Sequence, residues 1–231
     1  MTRKLTRRHF LNGVFYSSIS MPLIGCHTAN LPFINRILTA PLPEDALVLA
    51  AGDSLTYGTG APPGGSYPYM LAKMTDWNVI NAGIAGDTSM GVLRRLPMLL
   101  LRYKPKLVII CIGINDFTLG IAQDVVKKNI HEICQQVQSS GAAQLLVSVP
   151  YMTQKNYQEG SLKNAPIYAE LAKHFNILLQ KNALLKLVTT ESMRSDWVHG
   201  NAMGYRYLAL EIAFSLHSSG LLDHMPNIPK L

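Results

Sequence analysis

A hydroxyl, an imidazole and a carboxylate are the groups in this chain whose types and spacing can carry covalent chemistry. Ser54 sits in Gly52-Asp53-Ser54-Leu55-Thr56, directly after an apolar run. A serine hydroxyl is a poor nucleophile until a base takes its proton. His199 offers that base, in the stretch Asp196-Trp197-Val198-His199 with a carboxylate three residues before the ring. An acid so placed can hold the proton of one ring nitrogen and fix the tautomer. The other nitrogen is then free to face a hydroxyl. The order along the chain is Ser, Asp, His, and the chemistry this allows is acyl transfer through a covalent serine intermediate. Position 56 is Thr, so no Gly-x-Ser-x-Gly elbow surrounds Ser54, which disfavours the common α/β-hydrolase fold.

Positioning groups that lie so far apart requires a fold that gathers loops at one edge. Short apolar runs at 46–51, 78–81, 106–112, 144–149 and 177–179 read as strands. They are rich in Val, Ile and Leu and continuous rather than alternating, as when both faces are covered. Helical spacing falls between and after them, at 67–74, 89–101, 122–139, 165–174 and 201–218, with Gly141 and Asn176 placed to end the third and fourth helices. Alternation of this kind predicts an α/β fold, a doubly wound parallel sheet of about five strands in a single domain. The stretches 56–66, 150–163 and 188–200 read as irregular. Ligands of such sheets bind beyond the carboxyl ends of the strands. There the chain places four polar clusters: the one at Ser54, Asn81-Ala82-Gly83-Ile84-Ala85-Gly86-Asp87-Thr88, Gly113-Ile114-Asn115-Asp116, and the one at His199. Asp53 and Asp116 read as structural acids bonding loop backbone, Asp87 and Thr88 as caps of the second helix, and Trp197 as packing over its loop. His131, His174 and His217 fall on helices.

Together the four clusters, in this order and spacing, resemble the GDSL or SGNH hydrolase family over nearly all of 46–218. The segment from Asn81 to Phe117 resembles most its branch of thioesterase I, lysophospholipase and arylesterase enzymes. The resemblance implies a flavodoxin-like sheet and a serine esterase with Ser54, Asp196 and His199 as its catalytic groups. It also implies an oxyanion hole made by the backbone N–H groups of Ser54 and Gly86 and the side-chain amide of Asn115, with no metal and no organic cofactor. One departure stands out: Gly200 follows His199 where the family often has proline, which would loosen the loop. Acyl choice is expected to depend on 56–66 and 150–163, with Tyr151 and Met152 as candidates for an acyl groove.

The 231 residues are 48% hydrophobic and 15% charged, which excludes global disorder. The absence of any apolar stretch of about 18 residues excludes a polytopic membrane protein. Of the formal charge of +7, four units belong to Arg3, Lys4, Arg7 and Arg8. What remains is spread too thinly for a phosphate-binding stripe, so no nucleic-acid partner is expected. The first 25 residues read as an export signal. Thr6-Arg7-Arg8-His9-Phe10-Leu11 resembles a twin-arginine motif, an uncharged run follows, and Leu23-Ile24-Gly25-Cys26 resembles a lipobox. Cys26 would then carry a lipid that anchors the protein to a membrane, residues 26–43 would form a tether, and 44–231 the hydrolase domain. His27 after Cys26 leans the expectation towards an outer membrane. Cys111 and Cys134 read as buried free thiols. Small acyl-ester or lipid substrates fit an enzyme held in the cell envelope. Two other readings stand beside this one: a carbohydrate O-acetyl deacetylase of the envelope, and a metal-dependent phosphoesterase using Asp53, Asp116, Asp196 and His199.

Overall fold

The computed structural model describes residues 40–227. The twin-arginine-like motif, Cys26 with its expected lipid, and the expected tether up to residue 39 lie outside the described residues. Five parallel strands form one sheet: β1 (Leu47–Gly52), β2 (Asn78–Gly83), β3 (Leu107–Cys111), β4 (Ala143–Val147) and β5 (Leu178–Gln180), in the order β2-β1-β3-β4-β5. Val48 pairs with Val79 on one side and Leu107 on the other, and Gly52 with Gly83 and Cys111. Every residue of β3, and all but the first of β1, is buried. These two strands carry their apolar side chains on both faces, as the continuous Val/Ile/Leu runs require.

Helices cover the faces. α3 (Ser89–Tyr103) and α7 (Ile167–Phe175) each pack against α5 (Gln123–Ser140), while α9 (Ala202–Ser218) packs on α2 (Tyr67–Thr75) and α8 (Ala183–Thr189). Gly141 and Asn176 end α5 and α7 in the left-handed conformation, as expected. From β1 the chain winds to β2 on one side and then crosses to β3 on the other. The reversal of strand order therefore falls between β1 and β3, where sheets of this kind open a crevice for ligands.

The structure adds elements the sequence pattern does not show. Two single-turn helices, α1 (Ser54–Tyr57) and α4 (Ile114–Thr118), start directly beyond β1 and β3. α6 (Gln154–Gln158) interrupts the second stretch read as irregular. α8 and a 3-10 turn at Glu191–Met193 occupy chain before His199. One turn is too short to display an apolar period. Leu42, expected in the tether, is buried, and its N–H donates to the carbonyl of Leu221 at 2.9 Å, so packed structure begins by that residue.

Candidate active site

Beyond β1 the backbone is forced into a tight turn. A side chain on Gly52 would lie 2.1 Å from Thr56 Oγ1 and 2.2 Å from the carbonyl of Cys111, so no other residue fits there. Asp53 caps α1: its Oδ1 accepts the N–H of Leu55 at 3.0 Å, and its carbonyl accepts from Thr56 and Tyr57 at 3.1 and 2.9 Å. Ser54 is thereby the first residue of α1, almost fully buried, with its hydroxyl at the sheet edge. Burial, opposed by the Leu55 N–H and reinforced by Asp116 and Asp87, pushes the Asp53 carboxyl up to about 7.

Ser54 Oγ lies 2.9 Å from His199 Nε2, and His199 Nδ1 lies 2.7 Å from Asp196 Oδ2. A carboxylate only accepts, so the ring proton resides on Nδ1 and Nε2 accepts from the hydroxyl. The other oxygen of Asp196 accepts the backbone N–H groups of Val198 and His199 at 2.8 and 2.7 Å, folding the loop around the carboxylate. Partial burial pushes Asp196 up, but these bonds outweigh it and hold the carboxyl below its ordinary value. The loop is closed by an antiparallel bridge between Arg194 and Gly200, with Ser195 N–H on the carbonyl of His199 at 2.9 Å and Asn201 N–H on that of Met193 at 3.0 Å. The loosening expected from glycine at 200 is therefore absent. Asn201 then caps α9 through the N–H of Gly204.

The turn from β2 to α3 carries Gly86, exposed, at φ +78° with open space where a side chain would go. Asn115, in the first turn of α4, donates its side-chain amide to the carbonyl of Asp87 at 2.8 Å. The structure thus brings Asn115 to the Gly86 turn and His199 to Ser54, all beyond the carboxyl ends of the strands.

The family model for the GDSL-like Lipase/Acylhydrolase family matches residues 50–207, from β1 into α9. The chain belongs to this family. An arylesterase of Vibrio mimicus is 31% identical over 187 residues, covering 78% of this chain and 92% of that one. The thioesterase 1/protease 1/lysophospholipase L1 of Escherichia coli K12 is 29% identical over 188 residues, covering 78% and 88%. Among solved structures, the psychrotrophic esterase EstA of a Pseudoalteromonas species, inhibited by monoethylphosphonate, superposes with a TM-score of 0.65 at 26% identity, covering 75% of this chain and 98% of that one. The five-stranded sheet with flanking helices is the SGNH hydrolase fold.

Around this GDSL-family site stand residues that sequence reasoning did not single out. Arg95 on α3 donates Nε to Asp87 Oδ2 at 2.8 Å, Nη1 to the carbonyl of Ala82 at 2.7 Å and Nη2 to that of Gly52 at 2.8 Å. One guanidinium thus ties the ends of β1 and β2 to the Gly86 turn. Asp87 is its partner rather than a cap of α3, a role left to Thr88, whose Oγ1 accepts from Gly91 N–H. Asp116 bonds backbone as expected, taking the N–H of Ser89 at 2.9 Å, and it also takes the Ser89 hydroxyl at 2.5 Å. Asn129 donates to that same hydroxyl at 2.9 Å. No local pattern marks Arg95 or Asn129, because their partners lie far along the chain.

Of the two candidates for the acyl groove, Met152 is fully buried in the core, while Tyr151 is half-buried and meets Phe117 edge-on at 5.1 Å between ring centres. Trp197 is 39% exposed and lies 5.6 Å from Tyr157, on a depression of about 310 Å³ that Asp196 also lines. Asp53 and Asp116 are both turned into backbone and core. Among the described residues no three His, Cys, Asp or Glu side chains converge as cation ligands, so the donor set of the phosphoesterase reading is not assembled.

Proposed function

We propose that the protein is a serine esterase that hydrolyses small acyl esters through Ser54, His199 and Asp196. One observation carries the reading: the hydrogen-bonded row from Ser54 Oγ to His199 Nε2 at 2.9 Å and from Nδ1 to Asp196 at 2.7 Å. Membership of the GDSL-like family, whose relatives here are named arylesterase and thioesterase, supports carboxylic ester hydrolysis as the reaction class.

In this reading Ser54 Oγ attacks the acyl carbonyl while Nε2 takes its proton, and Asp196 stabilises the imidazolium that forms. The carbonyl oxygen becomes an oxyanion. Its donors are the N–H of Ser54, which in the first turn of α1 has no intrahelical partner, the N–H of Gly86, and the amide hydrogen of Asn115 not used on Asp87. Collapse of the intermediate breaks the bond to the alcohol, which leaves with the proton from Nε2. Water, deprotonated by the same nitrogen, then releases the acid and regenerates Ser54.

The sequence signals at Arg7, Arg8 and Cys26 support a place in the cell envelope, with the enzyme tethered by a lipid at Cys26. Acyl esters of envelope lipids or glycans are then its accessible substrates. The test is hydrolysis of p-nitrophenyl esters of graded chain length. Activity that disappears in Ser54→Ala is expected, and equal turnover by that variant contradicts the reading. Preference for acetyl over octanoyl esters moves the assignment to a deacetylase. Retention of a Cys26→Ala variant in membranes would contradict the lipid anchor.

A further inference from the structure

Three tyrosines head the large, fully buried side chains among the described residues, and each sends its hydroxyl to the carboxyl edge of the sheet. Tyr67 Oη lies 3.2 Å from Thr56 Oγ1, Tyr168 donates to the carbonyl of Ile112 at 2.7 Å, and Tyr205 donates to that of Thr59 at 2.7 Å. Tyr205 differs from the other two in joining separate segments of the site, because it stands in the first turn of α9, directly after the loop that carries His199, and its own N–H donates to the carbonyl of Asn201 at 3.0 Å. Asn201, the N-cap of α9, is two residues after His199. Thr59 follows α1, and its own N–H donates to the carbonyl of Ser54 at 3.0 Å. Hydrogen bonds therefore lead from Asn201, at the end of the His199 loop, through Tyr205 and Thr59 to Ser54.

A close approach supports the same junction. Gly60 sits at φ +92°, where a side chain would lie 2.0 Å from Ser195 Oγ and 2.6 Å from the carbonyl of Gly200. The segment after α1 and the loop carrying His199 are thus in direct backbone contact at Gly60 and bonded through Tyr205 one residue earlier. Asp196 and Trp197 are exposed on that loop, and Val198 is its buried apolar anchor beside these contacts.

We propose that the Tyr205 hydroxyl is a positioning group that sets the distance between Ser54 and His199 by joining the first turn of α9, into which the His199 loop leads, to Thr59. The proposal rests on reading Ser54 and His199 as nucleophile and base, and adds a residue that touches neither the acyl group nor the proton in flight. A hydroxyl–imidazole pair tolerates little displacement, since an error of about 1 Å can cost on the order of a hundredfold in rate.

The test compares Tyr205→Phe with Thr75→Val. Thr75 is a buried hydroxyl at the far end of α2, bonded to the carbonyl of Leu71 at 2.8 Å and remote from the site. Tyr205→Phe is expected to lower kcat about tenfold on p-nitrophenyl acetate with KM within about twofold, and to shift or broaden the downfield proton resonance of His199 Nδ1. Thr75→Val should lose stability while keeping parental kcat and resonance. Parental kcat together with an unchanged resonance in Tyr205→Phe overturns the proposal. If Tyr205→Phe does not fold, Gly60→Ala reads the same junction: a loss of kcat of about tenfold or more is expected, and parental kcat in the folded variant overturns it. Full activity in Ser54→Ala would instead remove the underlying reading of Ser54, and the His199 resonance would still report whether Tyr205 holds the loop.

Discussion

At the scale of single residues, Ser54, His199 and Asn115 differ in how much the structure already commits them. The hydroxyl and the imidazole face each other, while Asn115 holds the Asp87 carbonyl with one amide hydrogen, and the proposed oxyanion would take the other. An oxyanion donor contributes roughly 3–4 kcal/mol to the transition state. Asn115→Ala is therefore expected to lower kcat by roughly 100- to 1,000-fold, with a smaller change in KM; a loss below threefold in steady-state kinetics would assign the amide to structure alone. Asp53 is a different case, an acid one residue from Ser54 that serves the backbone. Its carboxyl, raised from 3.8 to about 7 by burial, binds a proton in the folded state that the unfolded chain has already lost above about pH 4. Its contribution to stability is thus complete below 3.8 and fades as pH rises through about 7. Asp53→Asn keeps an acceptor for Leu55 N–H without the charge. Its Tm should fall less than the parent's between pH 5 and pH 8, and parallel curves would contradict the assignment. The chemistry-bearing residues are legible in the sequence because each sits in a short polar cluster after an apolar run. Arg95, Asn129 and Tyr205 are not, since what they do depends on partners 43, 40 and 146 residues away.

At the scale of elements, the strands and long helices follow from apolar periodicity, with ends displaced by a residue or two. The strand read at 106–112 is Leu107–Cys111, because Ile112 already turns towards α4 and gives its carbonyl to Tyr168. α1 and α4 escape the pattern because one turn has no period to show, yet these two place Ser54 and Asn115. Their positions depend on clamps between elements. Removing the Arg95 guanidinium strands a carboxylate and two strand-end carbonyls, a loss of about 2–4 kcal/mol. Arg95→Lys should recover little of it, because a single ammonium cannot meet three acceptors in the geometry of a fork. Chemical denaturation is the measurement, and a Lys variant as stable as the parent would show that the charge alone suffices.

At the scale of the whole molecule, the strand order β2-β1-β3-β4-β5 does what no local sequence feature can. It sets the loops after β1 and β3 on either side of the switch in winding, and α9 returns the segment before it to the same edge. That return closes 145 residues of chain between Ser54 and His199. Alternation of strands and helices makes the parallel sheet predictable, whereas the contact of first and last clusters follows from the order in which the strands are laid. The most direct measurement is reaction of the intact protein with a fluorophosphonate in the presence of a strong chelator, followed by mass mapping of the adduct. A single adduct on Ser54 is expected, formed at the same rate with and without chelator and greatly slowed in His199→Ala. An adduct elsewhere, or ester hydrolysis that persists after Ser54 is replaced by alanine, would contradict the reading of Ser54 as nucleophile.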